Sequence, residues 1–414
     1  MMVTGHPNQA HAHRKMPTAV VLLPSTTYRA SDFLRAAEGL GIDLVVASEN
    51  PPPIDMGDRY LQVDCSDPNG AAEAIVALGD QVPIDGVIAA DDAGVVAAAI
   101  AGQKLGVPAN DPGAAAATRD KWQQRSLLAA AEVPQPRFAH VPAGDDGSQA
   151  AARVGYPLVL KPLDRSAGQG VVRVDDPEDL GAAVALVRSI VGDWADLIVE
   201  ELMRGDEVAL EGLVRDGELT TLAIFDKPGA AEGPYFPETI LVTPSTLPET
   251  AQTECRRVAA AALTAIGIDH GPVHVEMKVE GDRARVIEVA ARSIGGLCSR
   301  SLNFGLLGTT LETLILRNAV GLEKPELRRE PSASGVLMIP IPRSGRFDSI
   351  EGLDRVRALE HVSAIDITTT PGSRVEPPPV GDRYLGFVFA RGPERAGVEA
   401  ALRTAMTTMQ VVIA

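Results

Sequence analysis

HVEMKVEGDRARVIEVAARSIGG, residues 274–296, sets two glutamates opposite each other on a short hairpin and follows them with an arginine. Val273 to Val279 and Ala284 to Ala290 alternate in the manner of strands, and Gly281-Asp282-Arg283 between them is turn chemistry. Centring the turn on Asp282 pairs Val275 with Val289 and Met277 with Ile287 on an apolar face. It puts Glu276 directly across from Glu288 on the other face, and like charges facing each other in a ladder destabilise it. A hard divalent cation removes that cost by taking oxygen ligands from both carboxylates. Mg2+ characteristically takes one or two carboxylates plus the phosphates of a substrate. A solvated hairpin face would carry the same letters, so the rest of the chain has to separate the two readings.

Arg292, four residues after Glu288, is placed to meet negative charge developing beside such a metal, because its fixed fork binds a phosphate or an oxyanion in two places. A surface salt bridge is the competing account. Gly295 and Gly296 let a ligand approach the backbone closely. Upstream, YPLVLKPLDRSAGQGVVRV, residues 156–174, sets Lys161 at the end of an apolar strand, just before a loop holding Ser166, Gly168 and Gly170. Small residues there let N–H groups reach phosphate oxygens while the lysine supplies a point charge; a plain glycine hairpin would read the same. It is not the P-loop pattern, which needs Gly-Lys-Ser or Gly-Lys-Thr opening a helix. LIVEELMRGDEVALE, residues 197–211, runs from an apolar strand into a glycine hinge. Glu200 with the backbone of Glu201 and Leu202 has the donors and acceptors to hold adenine, and Glu207 those to take ribose hydroxyls; a solvent-facing acidic strand end is the alternative. Lys121, opening a helix, is a further candidate cation.

The 414 residues, 45% hydrophobic and 22% charged, describe an ordinary globular chain of several domains. A net charge of −17 argues against nucleic acid or an anionic membrane as a general partner. Three scattered cysteines, Cys65, Cys255 and Cys298, fit a reducing cytoplasm, and Cys298 reads as a small buried filler. No run approaches a membrane span, so a cytoplasmic enzyme is expected. Residues 1–16, with His6, His11 and His13, read as a disordered leader.

From Thr18 a strand–helix–strand beat predicts a parallel, Rossmann-like domain over 17–118, with Asp91 and Asp92 at a strand's carboxyl end, where they either face a ligand or cap a helix. A small mixed domain follows over 119–205. Residues 206–331 read as a larger antiparallel domain carrying the acidic hairpin and ending in a charged, proline-containing linker from Glu323 to Pro331. A C-terminal α+β domain is expected over 332–414. Tyr235, Phe236 and Glu238, among glycines and prolines, are candidates for a substrate-selecting loop.

In order and spacing, Lys121, Lys161 with its SAGQG loop, VEEL at 199–202, and Glu276 and Glu288 followed by Arg292 resemble the ATP-grasp superfamily. The EVAARSIGG ending and the segment after Pro331 are similar to its L-amino acid ligases, which are carboxylate–amine ligases. The resemblance implies a multidomain α/β and α+β chain: a Rossmann-like N-terminal domain, an ATP-grasp fold with a small lid and a larger metal-bearing domain, and a C-terminal α+β domain. It implies an enzyme that uses ATP to make an acyl phosphate of a carboxylate, that of an amino acid, and joins it to an amine, releasing ADP and phosphate. Carried over by position, Lys121 and Lys161 with Ser166, Gly168 and Gly170 bind ATP phosphates, Glu200 and Leu202 adenine, Glu207 ribose, and Glu276 and Glu288 Mg2+, with Mn2+ the alternative ion. Arg292 steadies the acyl phosphate, with Lys161 beside it. The partners implied are small carboxylates and amines, with a homodimer as a candidate assembly. A carboxylase or purine-pathway ligase of the same superfamily, or a non-catalytic ATP-binding module, are the alternatives. One departure stands out: the superfamily often has Asn two residues after the second metal glutamate, where this chain has Ala290, which leaves the number of magnesium ions open.

Overall fold

A computed structural model of the chain describes residues 16–24, 27, 29–51, 57–229, 233–304, 309–323 and 330–414. Apart from Met16, the expected leader lies outside the described residues, as does most of the linker expected at 323–331.

Thr18–Leu22 is buried along its whole length, as a strand covered on both faces must be. It lies inside a parallel sheet in the order Tyr60–Gln62, Asp43–Ser48, Thr18–Leu22, Gly86–Ala89. Val21 packs with Phe33 on one face, and Val20 with Ile75 on the other. The covering helices are Ala30–Leu40, closed by Gly41 at φ 65°, Pro68–Gly79, capped by the Asp67 side chain, and Val95–Leu105. This is the Rossmann-like domain expected at the N-terminus. Its first helix packs on helix Leu311–Ala319, so Phe33 and Leu314 share one core across the two domains.

The segment 119–205 does not behave as one unit. Helix Lys121–Ala130, capped by Asp120, buries Leu128 in the core that helix Glu249–Ile266 makes with the large sheet. The reason is an open sheet edge: strand Arg283–Ala290 is terminal in its sheet, and such strands carry unpaired backbone groups. Gln124 exchanges hydrogen bonds with Val289, and Arg125 donates to the carbonyls of Val286 and Ile287. The small sheet begins only at Phe138. It is antiparallel, in the order Phe138–Val141, Leu197–Glu201, Leu158–Pro162, Val172–Val174, with helices Ser148–Val154 and Leu180–Val191 packed on it.

The strands of the C-terminal segment continue the large sheet. Ala333–Met338, Gly386–Gly392 and Val362–Ile367 extend it to eight antiparallel strands, beyond Arg283–Ala290, Gly271–Glu280, Asp206–Arg215, Glu218–Asp226 and Ile240–Thr243. Gly345–Glu351, mostly polar and therefore unmarked by periodicity, pairs with Gln410–Ile413 beside it. In the acidic hairpin Glu276 faces Glu288 and Val275 faces Val289, as the turn predicts. Met277, however, faces Val286 and not Ile287. A bulge after Glu276 leaves Ile287 as the extra residue, turned to the cleft instead of the core.

Candidate active site

A cavity of about 410 Å³ opens where the small sheet, the acidic hairpin and the end of the N-terminal sheet meet. Lys161, Ser166 and Gly168 line it from the small sheet's side, Lys121 from the helix beside the acidic hairpin, with Glu200, Leu202 and Glu207 along one wall. Glu276, Glu288 and Arg292 line the opposite wall. Gly170 does not reach it. Its N–H donates to the carbonyl of Pro379 (2.8 Å), and Gln169 reaches the Val380 carbonyl (2.8 Å), so this end of the glycine loop is latched onto the C-terminal segment. At Gly168, φ is +73° and a β-carbon would stand 2.9 Å from the Phe236 carbonyl, so only glycine lets the loop lie this close.

Glu200 is held in a buried ion-pair network. It is 2% exposed, and its carboxylate lies between Arg125 (2.8 and 3.1 Å) and Lys161 (2.7 Å). Burial works against the charged form, but the guanidinium and the ammonium outweigh it and hold the carboxyl down to about 2. Glu200 therefore holds the Lys161 ammonium at the cleft. Of the adenine-binding groups named from the sequence, Leu202 donates its own N–H to the Pro157 carbonyl (3.3 Å).

The two facing glutamates are not left to repel each other. Glu288 meets Lys121 Nζ at 3.3 Å, and that ammonium also donates to the Arg165 carbonyl (2.6 Å). Glu276 meets Lys227 Nζ at 2.9 Å and His274 Nε2 at 3.1 Å. Lys227 also touches Glu207 (3.0 Å) and Glu238 (2.6 Å), so one ammonium serves three carboxylates. Burial opposes charge on Lys227 and on Glu276. The carboxylates nonetheless raise the lysine well above its usual range, while Lys227 and His274 hold Glu276 well below the usual carboxylate range. Glu238 is pushed the other way, by burial and by Glu276 beside it. In His274, burial is outweighed by Glu211 and Glu276, and its pKa rises to about 9. Among the described residues no three His, Cys, Asp or Glu side chains form a closed metal cage. Paired carboxylates of this kind fit a hard ion that completes its shell with phosphate oxygens and water, which is the chemistry of Mg2+.

Arg292 reaches across to the N-terminal domain, where its Nη2 meets Asp92 Oδ2 at 3.0 Å. Asp92 also lies 3.5 Å from Arg119. Burial opposes both charges, yet their mutual attraction depresses the Asp92 carboxyl and raises Arg292. Asp91 takes the capping role, accepting from the Asp92 N–H (2.7 Å). Cys298 is 2% exposed and forms part of the cleft wall, and burial first of all pushes its thiol up.

Lys227, His274 and Arg125 were not singled out in the sequence. Lys227 follows the strand Glu218–Asp226 and precedes Pro-Gly, the one signal that marks it, and His274 stands two residues before Glu276 on the same strand face. Arg125 looks like any cation on an amphipathic helix.

Comparison with known proteins follows the same outline. A family model described as the ATP-grasp domain matches residues 154–301, one for the ATP-grasp N-terminal domain matches 34–109, and one for the L-amino acid ligase C-terminal domain 2 matches 337–414. The crystal structure of L-amino acid ligase from Bacillus licheniformis is similar over 97% of this chain and 99% of that one, at TM-score 0.82 and 25% identity. The alanine–anticapsin ligase of Bacillus subtilis is 27% identical over 63% of this chain and 60% of its own length. An uncharacterized protein of Sinorhizobium fredii is 24% identical over 98% of this chain and 85% of its own. No helix among the described residues is long and apolar enough to cross a membrane.

Proposed function

We propose, since the chain belongs to the ATP-grasp superfamily and resembles its L-amino acid ligases, that it joins the carboxylate of an amino acid to an amine through an acyl phosphate, consuming ATP with Mg2+ and releasing ADP and phosphate. The observation that carries this reading is the convergence on one cleft of Lys121, Lys161 and Lys227, the Glu276 and Glu288 pair, and Arg292. Phosphoryl transfer asks a protein mainly for positioning and charge neutralisation.

Each cation in the cleft is held ready by a carboxylate. Lys161 is aimed by Glu200, Lys121 by Glu288, and Arg292 by Asp92. The lysines would neutralise the phosphates as negative charge shifts toward the leaving ADP. Arg292, fixed by Asp92, would offer its planar fork to the acyl phosphate and then to the oxyanion formed when the amine attacks. Glu276 and Glu288 would hold the magnesium, whose positive charge would offset the negative charge of the phosphates. The glycine loop, latched to the C-terminal segment, would keep water from the acyl phosphate.

The test is phosphate release from ATP across pairs of amino acids, with mass spectrometry of the product. ADP, phosphate and a dipeptide or amide are expected. Sustained AMP and pyrophosphate would overturn the reading, and turnover that continues in full after chelation of divalent ions would overturn its metal.

A further inference from the structure

Beneath the metal-binding wall lies a buried polar chain that the proposed reaction does not use. Glu211 is 0% and His274 7% exposed, on adjacent strands of the large sheet where they are direct cross-strand partners. One Glu211 oxygen accepts from His274 Nδ1, and the other accepts from the backbone N–H of Ile294 at 3.0 Å. His274 Nε2 faces Glu276 Oε1 at 3.1 Å, the same oxygen that Lys227 meets at 2.9 Å. A fully buried carboxylate and imidazole inside a sheet are costly unless every polar atom is paired. Here the pairing is continuous, linking the backbone of the Arg292 loop through Glu211 and His274 to the Glu276 carboxylate.

We propose that Glu211 and His274 are positioning residues: Glu211 anchors the imidazole, and Nε2 of His274 fixes the plane of the Glu276 carboxylate for metal binding, in register with the loop that carries Arg292. This rests on the reading of Glu276 as a metal-binding carboxylate. The geometry supports it in two ways. Both ring nitrogens face carboxylate oxygens, so the ring cannot flip without losing a partner at each end. The second oxygen of Glu211 is committed to Ile294, two residues after Arg292, so the metal carboxylate and the arginine hang from one buried group. Hydrogen-bond partners of metal-binding carboxylates orient them, and removing such partners weakens metal binding.

The experiment is Mn2+ binding to the full chain in the presence of ADP, followed by titration and by the electron paramagnetic resonance spectrum of the bound ion. In His274→Gln the amide nitrogen reaches where Nε2 stands, whereas in His274→Asn it reaches only where Nδ1 stands. His274→Asn is expected to bind Mn2+ roughly 10–100-fold more weakly, with an altered spectrum, while His274→Gln stays near the parent. Equal binding by the two variants, whether both intact or both weakened, would overturn the inference. Glu276→Gln separates the two levels: Mn2+ binding unchanged in that variant would overturn the metal reading and this inference with it. Should either histidine variant fail to fold, 15N resonances of the His274 ring in the unaltered protein decide. Adding Mg2+ to the ADP complex is expected to shift Nε2 more than Nδ1, and an unmoved Nε2 would overturn the inference.

Discussion

Arg292 and Asp92 meet at 3.0 Å across the boundary between the N-terminal domain and the large sheet. The carboxylate stands just after the N-terminal strand Gly86–Ala89, and the arginine just after the acidic hairpin. Arg292 therefore gains its carboxylate partner only when the two domains are docked.

Asp92→Asn removes the charge that orients Arg292 while leaving the cleft's lysines in place. A displaced arginine is expected to lower the turnover number by about 100-fold, the scale of a misplaced group at a reacting centre, with little change in the KM for ATP. Steady-state phosphate release separates the two constants, and a KM effect alone would show that Asp92 serves nucleotide binding instead.

Glu200 carries a pH signature. Its carboxyl is depressed to about 2 in the folded chain against an ordinary value of 4.5, so its stabilisation is fully present above the unfolded value. It is lost as pH falls from about 4.5 toward 2, and the shift corresponds to something on the order of 3 kcal/mol. Denaturant melts between pH 6 and pH 3 should show this loss in the parent. Glu200→Gln should be less stable at neutral pH and should show a correspondingly flatter pH dependence.

Lys227→Met would leave Glu207, Glu238 and Glu276 facing one another without their common cation. Breaking a buried charge cluster from one side costs roughly 3–5 kcal/mol, so a lower Tm is expected. Mg2+ or Mn2+ should restore part of it by taking over the neutralisation. Calorimetry with and without the ion checks this, and a variant Tm that the ion does not raise would count against a metal at Glu276.

Gly168→Ala forces a β-carbon toward the Phe236 carbonyl in a left-handed backbone. That conformation costs a non-glycine residue roughly 1–2 kcal/mol, enough to weaken closure over the phosphates about tenfold. The readout is the Kd for a non-hydrolysable ATP analogue, with a Tm close to the parent's expected because the loop lies at the cleft surface.

Local letters carried a good deal. Alternation and a Gly-Asp-Arg turn are short-range signals, and they were sufficient to set Glu276 opposite Glu288 and to mark the parallel N-terminal strands. They could not register the bulge that frees Ile287, because one extra residue leaves the apolar pattern of either strand almost unchanged. They also could not say that helix Lys121–Ala130 serves the large sheet, since what recruits it is the open backbone of an edge strand far along the chain.

The sequence by itself determined which charged groups the chain has and, through turn and strand periodicity, which of them face each other across a hairpin. Only the tertiary structure decided their partners: Glu200 with Arg125 and Lys161, Glu276 with Lys227 and His274, Arg292 with Asp92. The physical reason is range. Hairpin register follows from neighbours a few residues apart, whereas the strength of a charge pair depends on a separation near 3 Å and on burial. Both are set only when sheets from distant parts of the chain close on one cleft.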